Sequence, residues 1–205
     1  MDNRNLLFYD TETTGFPLYS ERSSDPRQPH MAQLGFKIVD SFTRLALDAV
    51  NVIIKPDGWT IPDEAAAVHG ITTERALDEG IPERKALGML IDAWAAVDRR
   101  VGHNEQFDAR IIRIALFRFD EARVADHWKD GLAECTAELS APIVNLPPTA
   151  KMLRAGFNKP KTPKLSEAYE FFTGRKLDGA HDAMVDVNGC EAVYWAIKDR
   201  QQAAA

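Results

Sequence analysis

Asp10, Glu12, Asp108, His181 and Asp186 fall in three short segments, FYDTETTGFP at 8–17, VGHNEQFDARII at 101–112 and GAHDAMVDVNG at 179–189. Carboxylates this far apart in sequence work together only if the fold gathers them. Oxygen donors of that kind suit hard divalent cations such as Mg2+ or Mn2+. Asp10 and Glu12 are separated by one residue, so on an extended backbone both point to one face of a strand. His181 and Asp186 are five residues apart, about 500° of helix rotation, which would leave them roughly 140° out of phase. His181 is therefore placed in the loop after Gly179, with Asp186 on the first turns of the helix that follows. There an imidazole, whose ordinary pKa is about 6.5, can take a proton from a metal-bound water near neutral pH, although a lone histidine at such a place is more often an ordinary surface or capping residue.

The surrounding pattern says which elements must hold these groups. NLLFYD at 5–10 reads as a buried strand that ends on Asp10. After a Pro-, Ser- and Arg-rich loop at 17–30, residues 32–39 and 46–55 read as two more strands joined by the polar turn DSFTR, giving an antiparallel meander. Pro62 opens and Gly70 closes a short helix, and Thr72 or Thr73 caps another. Leu87, Leu90, Ile91, Trp94 and Val97 mark one face of a helix over 82–97. RRVGHN at 99–104 predicts a fourth strand. Residues 107–119 predict a helix with Ile111, Ile114 and Ala115 inward and Asp108 in its first turn. A fifth strand is expected near 132–136, and PPTAKMLRAGFNKPKTPKL reads as loop and short helix. KLSEAYEFFTG forms a helix ended by Gly174, and the last helix carries Ala183, Val187, Cys190, Val193 and Ile197 on one side. The expectation is an α/β fold around a mixed five-stranded sheet, antiparallel in its first three strands and flanked by helices. A single domain is expected over 1–200, with a disordered tail at 201–205.

Composition narrows the function classes. The chain has 205 residues, 45% apolar and 27% charged, enough for one well-buried globular core. Lys plus Arg number 25 against 31 for Asp plus Glu, and the net charge of −6 is the wrong sign for a protein that coats nucleic acid unselectively. Cys135 and Cys190 are the only cysteines and have no metal-type spacing, so free thiols are expected. Neither GxGxxG nor GxxxxGK[ST] occurs, which argues against the common nucleotide folds. The apolar run at the start is short for a signal-peptide core, no stretch reaches the ~18 apolar residues of a membrane span, and a cytoplasmic protein is expected. Residues 151–164 hold five basic residues and no acid, with Arg175 and Lys176 shortly after. They read either as a track for a phosphate backbone or as a solvated basic loop.

Taken together, the three segments resemble the DEDD family of 3′–5′ exonucleases, in the histidine-containing (DEDDh) subclass that holds proofreading subunits, oligoribonuclease and ribonuclease T. FYDTETTGFP keeps D-x-E-[TS]-[TS]-G, GHNEQFD keeps H-N-x-x-F-D, HDAMVD keeps H-x-x-x-x-D, and VHGIT at 68–72 is similar to the family segment that holds the 3′-terminal nucleotide. The resemblance implies a ribonuclease H-like fold. It implies that Asp10, Glu12, Asp108 and Asp186 hold two divalent cations, Mg2+ or Mn2+, with Asp10 bridging them and Asp108 acting partly through water. His181 would then be the general base. Two cations about 3.5–4 Å apart stabilise both the attacking and the leaving oxygen of a phosphodiester.

Thr13, His69, Gly70, Ile71, Asn104 and Phe107 are the substrate contacts the same resemblance implies, with Phe107 either stacking a base or belonging to the core. His103 is read as structural, and His30 and His127 as surface residues. The implied partner is single-stranded DNA or RNA with a free 3′ end, cut to nucleoside 5′-monophosphates. A homodimer or a polymerase partner is compatible with the resemblance; a membrane partner is not. Proofreading or repair of DNA, trimming of RNA ends and clearance of short oligonucleotides would all use the same five groups. An inactive binding module is the reading from another class. Two departures stand out: Cys135-Thr136 where many relatives have Asp-Thr, which bears on a helix cap, and a long loop at 17–30.

Overall fold

The computed structural model describes residues 5–204. Its sheet begins with β1 (Asn5–Thr13), β2 (Met31–Asp40) and β3 (Ala46–Lys55), the antiparallel meander expected from sequence. Then come α1 (Asp63–His69), α2 (Thr73–Glu79), β4 (Ile81–Pro82), α3 (Glu83–Ala95), β5 (Arg99–Gly102), α4 (Glu105–Arg118), α5 (Ala122–Asp130) and β6 (Ala133–Cys135). The chain continues through α6 (Thr136–Val144), α7 (Ala150–Arg154), α8 (Leu165–Thr173) and α9 (Ala183–Ala203). The sheet has six strands in the order β4-β3-β2-β1-β5-β6, with β5 parallel to β1 and β6 parallel to β5. The five-strand expectation is therefore corrected by β4. That strand is only Ile81 and Pro82 beside Ile54 and Lys55, too short to show a period of two.

β1 sits near the middle of this sheet because it is apolar on both sides. Leu7 and Tyr9 face one layer, with Leu90, Ile111, Ile112 and Trp128 from α3, α4 and α5. Leu6 and Phe8 face the other, with Val187, Cys190 and Tyr194 from α9. Alternate residues of one strand thus enter opposite cores, so β1 reads as continuously hydrophobic. α8 closes the second layer by packing Ala168 against Val193 and Ile197.

Several boundaries differ from the sequence reading. α4 starts at Glu105, two residues early, because Asn104 takes a left-handed conformation (φ 62°) and turns the chain directly out of β5. α5 and α6 were not expected as helices; α6 contains Pro142, a residue that ordinarily argues for an ending. Thr72 caps α2 by accepting from Arg75 N–H at 3.2 Å, while Thr73 Oγ1 accepts from Ile61 N–H at 3.0 Å. α9 runs to Ala203, so residues 201–203 are helix where a disordered tail was expected; Ala205 and residues 1–4 lie outside the described residues. Among the described residues no helix is long and apolar enough to cross a membrane.

Candidate active site

Asp10 and Glu12 lie at the C-terminal end of β1, where the meander meets the parallel half of the sheet. Asp10 pairs with Gly35 on β2, and this glycine is required by what lies above it. A Cβ there would come within 2.8 Å of the Ala183 carbonyl carbon. Its absence lets the first turn of α9 settle directly on the strand beside Asp10. Asp182 caps that turn, accepting from Met184 and Val185 N–H at 3.1 and 3.2 Å. Gln33, opposite Glu12, ties the turn down: its amide donates to Asp182 Oδ2 at 3.0 Å and accepts from Ala183 N–H at 3.2 Å.

This seating brings in the third segment. Gly179 and His181 both have positive φ, 78° and 71°, so the loop makes a sharp left-handed approach, unusual for a histidine. Asp186 Oδ2 accepts from His181 N–H at 3.2 Å, which fixes the loop against the helix. Ligand-capable atoms of Glu12, His181 and Asp186 lie within 4.8 Å of one another. The second segment enters from the opposite side. Asp108, buried one turn into α4, accepts from Thr11 N–H at 3.0 Å and from Thr11 Oγ1 at 2.7 Å, which stitches α4 to β1 between Asp10 and Glu12.

Below Asp108 lies a second polar contact. Glu105 Oε1 accepts from Tyr9 Oη at 2.7 Å and from Arg100 Nε at 2.6 Å, and Arg100 Nη1 donates to Trp128 C=O at 2.6 Å. All of these side chains are buried. β1, β5 and α4, which position Asp10, Glu12 and Asp108, are thus bolted together at one point.

The electrostatics of the carboxylate cluster are unfavourable as it stands. Burial pushes Asp10 well above the ordinary carboxylate range, and Asp108, Asp186 and Glu12 add to the shift. Burial, then Asp186 and Asp108, raise Glu12 to about 8. Asp108 rises to about 7 through burial, with the two Thr11 bonds pulling the other way. Asp186 is also raised by burial, opposed by the His181 backbone. Asp186 Oδ1 is buried with no hydrogen-bond partner among the described residues. Four close acids and one orphaned oxygen make a donor set that fits divalent cations, whose charge would reverse each of these shifts.

A cleft of about 500 Å³ opens over the cluster, lined by all five groups. Thr13, His69, Asn104 and Phe107 also line it, whereas Gly70 and Ile71 do not. Gly70 ends α1 in a left-handed turn (φ 72°), and Ile71 is buried in a satellite core with Ile53 and Ile61. Ile71 N–H donates to His69 Nδ1 at 3.2 Å, which leaves the proton on Nε2, a buried atom turned toward the Thr13 backbone. Burial lowers the His69 pKa, so the ring stays neutral. Phe107 touches the core and also meets Phe16 edge to face at 6.1 Å, with Phe16 82% exposed at the cleft mouth. Phe107 thus packs against the core and also lines the cleft.

His103 is held by Thr136 Oγ1 at 2.9 Å and Pro163 C=O at 3.0 Å, and burial lowers its pKa to about 4. Cys135 stands at the start of α6 and makes no side-chain capping bond there. His127 is exposed, but His30 is half-buried, stacked on Trp59 at 4.4 Å and 3.4 Å from Glu83, so its reading as a surface residue is corrected. Sequence reasoning missed Phe16 and the α1 wall of Glu64, Ala65 and Val68. Phe16 lay inside the first segment, and α1 buries none of its residues, leaving Val68 55% exposed. Gln33, Thr11 and Asp182 carried no local signal, since their partners are distant in sequence.

Residues 7–194 match the RNase_T family model, described as Exonuclease. The chain belongs to this exonuclease family. Among solved structures it is similar to E. coli Exonuclease I in complex with a dT13 oligonucleotide, at a TM-score of 0.75 and 20% identity over 98% of this chain and 42% of that one. The zinc ion bound form of the E. coli ExoI-ssDNA complex gives 0.71 and 20% over 97% and 41%. A moderately thermophilic Exonuclease I from Methylocaldum szegediense gives 0.71 and 23% over the same shares. These likenesses establish the ribonuclease H-like α/β fold, and the chain spans about 42% of the exonuclease I chain it matches first. No curated protein matches the sequence.

Proposed function

We propose that this chain is a metal-dependent 3′–5′ exonuclease acting on single-stranded nucleic acid, DNA in the first instance, and releasing nucleoside 5′-monophosphates. The observation that carries the reading is the convergence of Asp10, Glu12, Asp108 and Asp186 with His181 in one cleft, in a chain of the exonuclease family. Exonuclease I structures in complex with dT13 and dA16 oligonucleotides favour single-stranded DNA as the polymer.

Asp10, Glu12, Asp108 and Asp186 would hold two cations, Mg2+ or Mn2+. Bound there, the cations supply countercharge for the phosphodiester and Lewis acidity at its reacting oxygens. The chain's own groups do the rest. His181, exposed at the cleft edge, takes a proton from the attacking water. The water oxygen bonds to phosphorus, the P–O3′ bond breaks, and the shortened strand leaves with a 3′-hydroxyl once protonated by solvent. Thr13, His69 and Asn104, which line the cleft, orient the terminal nucleotide. Thr11 holds the Asp108 carboxylate in place.

The test is a ladder assay with 5′-labelled DNA and RNA of one sequence, in Mg2+, Mn2+ or EDTA, repeated with Asp10→Ala and His181→Ala. Stepwise shortening from the 3′ end that needs metal and disappears in both variants is expected. An RNA ladder outrunning the DNA ladder would move the polymer assignment; no ladder in either would overturn the reading.

A further inference from the structure

Residues 146–161, LPPTAKMLRAGFNKPK, hold Lys151, Arg154, Lys159 and Lys161 and no acid, in a chain of net charge −6. They form a closed loop, since Lys161 N–H donates to Leu146 C=O at 3.1 Å. Inside it α7 is capped by Thr149 Oγ1, which accepts from Met152 N–H at 3.2 Å. The helix ends at Gly156 (φ 80°), with Phe157 N–H donating to Met152 C=O at 2.9 Å and Gly156 N–H to Leu153 C=O at 3.0 Å. Helix ends of this type usually fold the next apolar residue back onto the helix. Here Phe157 stays 55% exposed and Leu153 51%. Lys161 is paired with Glu167 at 2.7 Å, whereas Lys151, Arg154 and Lys159 have no acidic partner among the described residues. The chain after the loop is fastened to the cleft wall, because Pro163 C=O bonds His103 Nε2 at 3.0 Å and His103 lines the cleft.

We propose that this loop is a second binding site, for the strand upstream of the scissile end. Lys151, Arg154 and Lys159 take phosphates, and Phe157 takes the face of a base. The inference rests on the reading that the cleft receives a 3′ end. A cleft of about 500 Å³ is of the size that holds a small ligand, so it accommodates the end of a strand and leaves the rest to other surface. Unpaired cations around an exposed aromatic ring are the combination that grips single strands without reading sequence. The hydrogen-bonded turn at Gly156 limits the ordering that binding would require. In an acidic protein, a local cluster of three unmatched cations is complementary to a polyanion and not to the protein's own surface.

Two variants test this, Phe157→Ala and the triple Lys151→Ala/Arg154→Ala/Lys159→Ala, each assayed on a 20-nucleotide single strand and on a dinucleotide. On the long strand we expect kcat/KM to fall about tenfold for Phe157→Ala and further for the triple variant, mainly through KM, with the dinucleotide unchanged within about twofold. Strand affinity is also measured by fluorescence anisotropy in an Asp10→Ala background. There the triple variant should flatten the slope of log affinity against log salt by about 2, as expected for three phosphate contacts on a single strand. Equal losses on both substrates, or none on the long strand, would overturn the site. Failure of the parent enzyme to shorten any strand would remove the exonuclease reading instead, and the anisotropy arm would still report on the loop.

Discussion

Helix α4 buries two carboxylates a single turn apart, and their charges meet opposite surroundings. Glu105 faces the Arg100 guanidinium at 2.6 Å and the Tyr9 hydroxyl at 2.7 Å, so its countercharge is built into the fold. Asp108 faces Asp10 and Glu12, and its side chain accepts the pair of Thr11 hydrogen bonds. One acid is finished and the other is left incomplete. The difference supports the proposal that the cleft takes its countercharge from bound cations, with the Arg100–Glu105 pair joining β5 to α4 beneath the cluster.

The comparison breaks first at the cluster. Asp10→Asn or Asp108→Asn should lower single-turnover cleavage by about a thousandfold or more, because the groups act as a unit. Thermal unfolding in EDTA should be unchanged or raised in the same variants, since a repelling charge has gone. On the other side of the comparison the sign reverses. Glu105→Ala leaves the buried Arg100 charge without its carboxylate and should cost about 3–5 kcal/mol of stability, a fall in Tm on the order of 10 °C. The joint replacement Arg100→Leu/Glu105→Leu should recover most of that loss, as buried ion pairs exchanged for apolar groups often do.

A pH titration sharpens the contrast further. Glu12 and Asp108 stand at about 8 and 7 in the fold, against ordinary values of 4.5 and 3.8. Folded protein therefore binds more protons than the unfolded chain between about pH 4 and pH 8. The stability these two groups contribute is fully present below their ordinary values and is lost as pH rises through 7 and 8. Urea unfolding in EDTA should weaken across that window, and saturating Mg2+ should flatten the dependence. The smallest effect is expected at Thr11→Val, which keeps the backbone bond to Asp108 and removes the hydroxyl bond. A loss of about tenfold in kcat is expected, consistent with one hydrogen bond to a charged group.

The same contrast explains what the sequence made legible. The position of Asp10 was readable because NLLFYD is apolar on both faces and ends on an acid, and the loop position of His181 because a residue five before Asp186 cannot share its helical face; the roles of Asp10, Glu12 and His181 came from the motif resemblance. The meander and the inner face of α9 followed from plain periodicity. Glu105 gave no such signal: a charged residue at a helix start reads as exposed until Arg100 and Tyr9 are seen around it. Gln33 and Asp182, 149 residues apart, and Gly35 under Ala183 seat α9 by contacts that exist only after folding. β4 was too short to have a period, and Pro142 concealed α6. Ile71 looked like a substrate contact from its motif, yet apolar burial claimed its side chain while its N–H oriented His69.

The most direct measurement is calorimetric titration of Mn2+ into the parent protein, Asp10→Ala and Arg100→Leu/Glu105→Leu. We expect the parent to bind with release of protons, because Glu12 and Asp108 must ionise to become ligands. Asp10→Ala should bind at least about tenfold more weakly, and the Leu/Leu variant should still bind, since its carboxylate cluster is intact. No binding to the parent, or equal binding to Asp10→Ala, would contradict the assignment of the cleft as a metal centre.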